Sequence, residues 1–74
     1  MLTTEEQFVY EWQYGMLGDS FKGILAKLIA KSDTGNRAKL RLAFPEYVDG
    51  VTKYQSVEGW WDNVQDIAEA QYGK

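Results

Sequence analysis

Cysteine and histidine are both absent from this 74-residue chain, and proline occurs once, at Pro45. Without cysteine there is no disulfide, no thiolate metal ligand and no thiol nucleophile. Without histidine the chain lacks the side chain that most often serves as a general base or a zinc ligand. Phosphate-binding, EF-hand and nucleophile-elbow motifs are missing too. We therefore expect a chain that is not an enzyme, with no catalytic residue, no metal ligand and no cofactor.

Long hydrophobic runs are also missing. No apolar stretch approaches the roughly 18 residues that a membrane-spanning helix requires. The N-terminal segment is acidic and has no apolar centre, which is not typical of a secretory signal peptide. These patterns predict a cytoplasmic protein without a membrane partner.

Aromatic residues are abundant: the chain has three Trp, five Tyr and three Phe. Each ring can bury roughly 150–250 Å², which would help a chain of this length to form a stable core. No segment shows the period-two alternation of a half-buried strand. We predict one helical domain over residues 1–74, an all-α bundle of four to five short helices around one aromatic-rich core.

The first helix is predicted to begin near Thr4, because Thr3 and Glu6 have the spacing of a capping box. Gly18 and Ser20 then indicate its end and the cap of the next helix. One face carries residues expected to be inward, Phe8, Val9, Trp12 and Met16. A second ridge carries Tyr10, Tyr14 and Leu17, which we interpret either as a partner surface or homodimer seam, or as internal packing.

The second helix has the clearest periodicity. Its apolar residues recur with the spacing of one helical face, so we expect the whole set to be buried: Phe21, Ile24, Leu25, Leu28 and Ile29. Ser32 to Asn36 are predicted to form a turn. Asp33-Thr34-Gly35 matches the tripeptide of aspartic proteases, but polar neighbours favour Asp33 as the N-cap of a third helix. That helix should direct inward Leu40, Ala43 and Phe44, with Leu42 covered on another side.

The C-terminal third is predicted to hold two helices. Pro45 suits the first position of one of them, and Ser56 is predicted to cap the other. An apolar arc on the last helix should face the core, with at least one of its tryptophans buried: Val57, Trp60, Trp61, Val64, Ile67, Ala68 and Tyr72. An acidic stripe lies opposite and is interpreted mainly as a solvated face: Glu58, Asp62, Asp66 and Glu69.

Charge is concentrated in the middle of a chain whose formal net charge is −3. Residues 22–41 hold six of the eight basic side chains and one acid, whereas both flanking segments are acidic. This segment can pair with the acidic ends of the chain or present itself to an acidic partner. The basic side chains proposed as partner contacts are Lys22, Lys27, Arg37 and Arg41.

The order of features near the C-terminus is Leu40-x-x-x-Phe44-Pro45, Tyr47-Val48, Tyr54 and Gly59-Trp60-Trp61. With the amphipathic first helices, it resembles small helical proteins encoded by bacteriophages and other mobile elements of gut bacteria. The resemblance implies a short accessory protein that acts by binding in the host cytoplasm. It implies no activity and no functional residue.

The function expected from these patterns is a non-enzymatic intracellular protein–protein interaction module. Its partner is an unidentified protein or a second copy of the chain. Two alternatives stay open. One is a helix-turn-helix-like DNA-binding module that uses residues 20–44, where Asn36 and Arg37 would begin a recognition helix. The other is a homo-oligomeric structural subunit.

Overall fold

The computed structural model describes residues 1–73, and within this range the chain forms five helices and no strand. The predicted all-α bundle is therefore confirmed. None of these helices has the length and apolarity needed to cross a membrane. The helices are α1 (Thr4–Gln13), α2 (Phe21–Lys31), α3 (Thr34–Ala43), α4 (Pro45–Ser56) and α5 (Trp60–Tyr72).

Helix α4 is the centre of the bundle, because it packs against each of the other four helices. Val48 and Val51 of α4 belong to one buried cluster with Val9 of α1 and Ile29 of α2. Helix α3 packs chiefly against α4, whereas α5 contacts both α1 and α4. The α2 and α3 pair is therefore held together mainly through a third helix.

The aromatic side chains form a partly buried layer around an aliphatic centre. Phe8 is the one fully buried aromatic residue among residues 1–73, and its ring stacks on Tyr47 with centroids 4.2 Å apart. Trp12 meets the edge of Tyr54 at 5.5 Å, and Tyr54 meets Trp61 at 5.4 Å. The rings thus join α1, α4 and α5 at the border of the core.

The predicted helix starts are confirmed at four positions. Thr3 forms the capping box with Glu6, and Pro45 occupies the first turn of α4. Ser20 and Asp33 cap α2 and α3, accepting hydrogen bonds from Gly23 N at 3.3 Å and Asn36 N at 2.8 Å. Because Asp33 already caps α3, the predicted turn over Ser32 to Asn36 is shortened to its first two residues.

The end of α1 was predicted too late. The helix ends at Gln13, and Gly15 follows with φ +74°, a left-handed conformation that glycine adopts without strain. Gly15 N donates to Trp12 O, and Met16 N donates to Glu11 O, which is the Schellman arrangement. Met16 consequently leaves the helix and is 60% exposed, so its predicted inward position is wrong.

Two further boundary and burial predictions are wrong. Ser56 is the last residue of α4, and its Oγ donates to Thr52 O, so it does not cap α5. Helix α5 starts after Gly59 without a side-chain cap, which leaves Val57 outside it. On α3, Ala43 is exposed and Leu42 is 88% exposed, because α3 has one covered face.

Candidate interaction surface

An apolar ridge on α2 is exposed, contrary to the prediction that the whole apolar set of this helix is buried. Leu25 and Ile29 do lie in the core. Phe21, Ile24 and Leu28 are 67%, 57% and 52% exposed. The predicted arc is wide, and α4 and α1 cover only its inner half. We call Phe21, Ile24 and Leu28 the α2 ridge.

The spacing of the α2 ridge is that of a helix-pairing seam. Its residues are separated by three and then four positions, which is the a and d pattern of a heptad. Lys31 extends the row by three more positions. A helix that presents such a row to solvent has the arrangement by which amphipathic helices pack against one another.

Two hollows lie at the ends of the α2 ridge. One, of about 420 Å³, lies between α2 and α3 and is lined at its base by Leu28 and Leu40. The other, of about 310 Å³, is bordered by Phe21 and by Phe44, whose ring centroids are 5.9 Å apart. Phe21 and Leu28, which border one hollow each, are seven residues apart and therefore about 10 Å apart along α2.

Lysines surround the Leu28 end of the ridge. Lys27 and Lys31 of α2 and Lys39 of α3 are exposed, and none forms an ion pair with residues 1–73. Asp33 is the one acid lining the same hollow, and its Oδ1 already accepts from Asn36 N. The surface is therefore apolar along its centre and cationic at this edge.

The second ridge predicted on α1 does not exist as one free surface. Tyr10 is half-buried between Tyr14 and Tyr72, with ring centroids 4.5 and 5.7 Å away. Burial, followed by these two neighbouring phenols, raises the pKa of Tyr10. Tyr14 is half exposed, but its ring meets the edge of Trp61. Leu17 lies beyond the helix end and packs against the core.

The two arginines proposed as partner contacts make internal contacts instead. Arg37 is half-buried and donates to Ser32 Oγ, to Thr52 Oγ1 and to the main-chain oxygen of Ile29. Arg41 donates from Nε and Nη2 to the two carboxylate oxygens of Asp49, at 2.7 and 3.0 Å.

The Arg41–Asp49 pair is the clearest electrostatic contact on α3. The hydrogen bonds raise the pKa of Arg41 and lower the pKa of Asp49. Both arginines thus join α3 to α4 or α2. Together with Ser32 and Thr52, they line a hollow of about 660 Å³. The guanidinium groups of Arg37 and Arg41 already donate to acceptors within the chain. The hollow therefore offers few free polar groups to a ligand.

The two lysines proposed as partner contacts remain accessible. Lys22 places its Nζ 5.7 Å from the ring centroid of Tyr47, a distance compatible with a cation–π contact. Lys27 is exposed beside the α2 ridge. Elsewhere, Lys53 bonds to Glu5 at 2.6 Å, which raises the pKa of Lys53.

The acidic stripe is exposed, but it begins with α5 and not at Glu58. Asp62, Asp66 and Glu69 lie on α5, and neither ion pair within residues 1–73 involves them. Of the basic segment, only Arg41 forms an ion pair with the chain's own acids in this range. Most of the basic segment therefore remains directed to solvent.

Sequence reasoning missed the α2 ridge because periodicity shows which residues share a face and not how much of that face a neighbour covers. Comparison with protein-family models, with curated proteins and with solved structures gave no match.

Proposed function

We propose that this chain is a non-enzymatic protein–protein interaction module that binds its partner through the α2 ridge. The observation that carries the proposal is the exposure of three large apolar side chains in a row on one helix. A row of this kind, bordered by hollows and charged residues, is typical of a binding surface. The α1 tyrosines are less suited, because they already contact α5.

The ridge lies on a well-supported helix. Ser20 caps its start, and Leu25, Ala26 and Ile29 anchor its inner face in the core. The main chain of the ridge is therefore held in place while more than half of each ridge side chain stays exposed; Phe21 also contacts the ring of Phe44. A pre-organised apolar surface loses little conformational entropy on binding, which favours affinity.

The DNA-binding alternative has less support. A recognition helix needs free side chains on its outer face. Arg37 already donates to Ile29 and Thr52, and Arg41 donates to Asp49. Phosphates near the remaining lysines would meet the apolar α2 ridge between them. Random duplex DNA should therefore show no detectable binding at about 50 mM salt, where phosphate contacts are strong.

Site-specific photo-crosslinking in the cells that express the chain natively would test the proposal. A benzophenone amino acid replaces Ile24 in one variant and Asp66, on the opposite acidic face, in a control variant. We expect discrete protein adducts at position 24 that are absent at position 66. No adduct at position 24, or the same adducts at both positions, would show the proposal to be wrong.

The mass of the adduct identifies the kind of partner. An adduct of twice the chain's mass would indicate the homo-oligomeric alternative, and a protected nucleic acid in place of a protein would indicate the DNA-binding one. Thermal melts of both variants show whether the replacement left the fold intact. The proposal predicts a protein adduct that differs in mass from a dimer.

A further inference from the structure

We infer that the partner of the α2 ridge is an amphipathic α-helix with acidic residues beside its apolar seam. This inference rests on the proposed function and specifies the chemistry of the partner. Three observations carry it: the heptad spacing of the ridge, the hollow at each of its ends, and the lysines at the Leu28 end. Each observation limits what fits this surface.

The spacing and the hollows favour a helix. A second helix laid along α2 places one apolar side chain every three or four residues against the ridge. Two of its side chains that are seven residues apart lie about 10 Å apart, which matches the spacing of Phe21 and Leu28, the two ridge residues that border the hollows. In an extended peptide the side chains on one face recur about every 6.7 Å, so no two of them match a separation of about 10 Å.

The charge at the rim favours acidic flanks. Lys27 and Lys31 are exposed on α2, and Lys31 lines the hollow together with Lys39 of α3. Asp33 shares that hollow but already caps α3, and Glu46 borders the hollow at the Phe21 end. Carboxylates in the flanking positions of a partner helix would meet the lysines and would speed and orient binding.

A second copy of the chain fits less well. Parallel pairing of α2 with α2 of another copy would bring Lys27 and Lys31 of one molecule close to the same lysines of the other. Antiparallel pairing would bring them to the Phe21 end, where Lys22 as well as Glu46 borders the hollow. Like charges at a seam oppose pairing, whereas the acidic helix replaces this repulsion with attraction.

A lipid surface also fits less well. The exposed ridge with its lysines shares features with an interfacial helix. However, the hollow between α2 and α3 makes this face concave. A flat bilayer surface would leave both hollows unfilled, whereas side chains of a helix can enter them.

Binding of three designed peptides to the full chain tests the inference. Each peptide has three heptads with Leu at a and d, and the flanking e and g positions carry Glu, Gln or Lys. We expect the Glu peptide to bind about tenfold more tightly than the Gln peptide, as a few exposed ion pairs would give, and the Lys peptide to bind most weakly. The preference should shrink in high salt.

Matched variants assign the binding to residues. Ile24→Gln with Leu28→Gln should abolish binding of all three peptides while the thermal melt is retained. Lys27→Gln, Lys31→Gln and Lys39→Gln together should remove the preference for Glu and leave the Gln peptide unaffected. Asp62→Asn with Asp66→Asn, on the exposed face of α5, should change neither.

Several outcomes would overturn the inference. They are equal affinity for the three peptides, binding that survives the ridge substitutions, or ridge-dependent binding to anionic phosphatidylglycerol vesicles without binding of any peptide. A dimer by sedimentation that dissociates on Ile24→Gln would assign the ridge to a second copy. Discrete cellular adducts at position 24 without a preference for acidic peptides would leave the proposed function standing and remove this inference alone.

Discussion

Arg37 Nη2 lies 2.7 Å from the main-chain oxygen of Ile29, so a cation from α3 closes the C-terminal end of α2. The same guanidinium reaches Thr52 Oγ1 on α4 at 3.2 Å. Because the last carbonyls of a helix carry partial negative charge and lack helical partners, a cation there is favourable. One side chain thus connects three helices, two of which contact each other little directly.

Replacing Arg37 should therefore lower stability more than replacing an exposed basic residue of the same segment. For Arg37→Ala we expect a loss of about 1.5–3 kcal/mol, the range for hydrogen bonds to a charged group. Thermal unfolding should show a decrease in Tm of several degrees or more. Lys39→Ala, on the same helix, is the control and should change stability by less than about 0.5 kcal/mol. Equal effects of the two substitutions would contradict this role for Arg37.

The Arg41–Asp49 pair predicts a pH dependence. The pKa of Asp49 is lowered in the folded chain, so its carboxylate stabilises the fold at any pH above the ordinary value of 3.8. That contribution disappears as pH falls below 3.8 and through the lowered pKa. Asp49→Asn should thus reduce Tm slightly at pH 7, and its melt should converge with that of the original chain in acid.

The salt dependence of Tm is a second test of the Arg41–Asp49 ion pair. Arg41 is exposed and Asp49 is partly exposed, so screening should shrink the Tm difference between Asp49→Asn and the original chain at high salt. A Tm difference that stayed constant over pH and salt would indicate that Asp49 stabilises α4 in some other way.

Gly50 allows α1 and α4 to approach closely. A Cβ at this position would lie 2.8 Å from Glu5 O and 3.1 Å from Val9 Cγ2. Although alanine is normally the better helix former by about 1 kcal/mol, we expect Gly50→Ala to destabilise the chain. Gly35→Ala on α3 is the control, because its Cβ would meet nothing closer than 3.8 Å and should be neutral or stabilising. Chemical denaturation of both variants gives the comparison.

The two sides of α2 should respond differently to substitution. Leu25 lies in the core, so Leu25→Ala should cost about 2–5 kcal/mol. Ile24 is 57% exposed, and Ile24→Gln should cost less than about 1 kcal/mol. Leu25 and Ile24 are adjacent and similarly apolar, so the two substitutions compare the buried and the exposed side of α2. A large loss of stability on Ile24→Gln would mean that the ridge supports the fold and is not a free surface.

Tyr10 should behave as a structural residue. Its ring lies between Tyr14 and Tyr72 and so joins α1 to α5. Tyr10→Ala together with Tyr14→Ala should lower Tm by several degrees without changing the mass seen by size exclusion. A dimer that dissociated in this variant would instead support the homodimer seam considered for α1.

Local signals predicted most of the helix starts correctly. Thr3, Ser20 and Asp33 cap helices through hydrogen bonds to main-chain groups three residues away, so nearby sequence contains the needed information. Helix ends were harder to predict. The end of α1 was predicted at Gly18, whereas the helix ends at Gln13 and the left-handed turn lies at Gly15.

Burial was predicted correctly for the centre of an apolar arc and less well for its ends. Val64 and Ala68 of α5 are buried as expected, but Val57 and Tyr72 of the same predicted arc are 48% and 55% exposed. Phe21 and Leu28 are exposed too, because their cover depends on the position of α3, which no periodicity within α2 specifies. The candidate site differs from the predicted one for the same reason. Whether Arg37 and Arg41 can reach a partner depends on acceptors in α2 and α4, which are distant in sequence.

Leu25 and Ile29 face inward on α2, while Ile24 and Leu28 face outward within the same two turns. The residues that hold this helix in place are thus separate from those that it displays. Substitutions at Ile24 and Leu28 can change the exposed row while the buried contacts of Leu25 and Ile29 are retained. Such a separation leaves the outward chemistry open to evolutionary change, so related chains can diverge in what they recognise and retain a common scaffold.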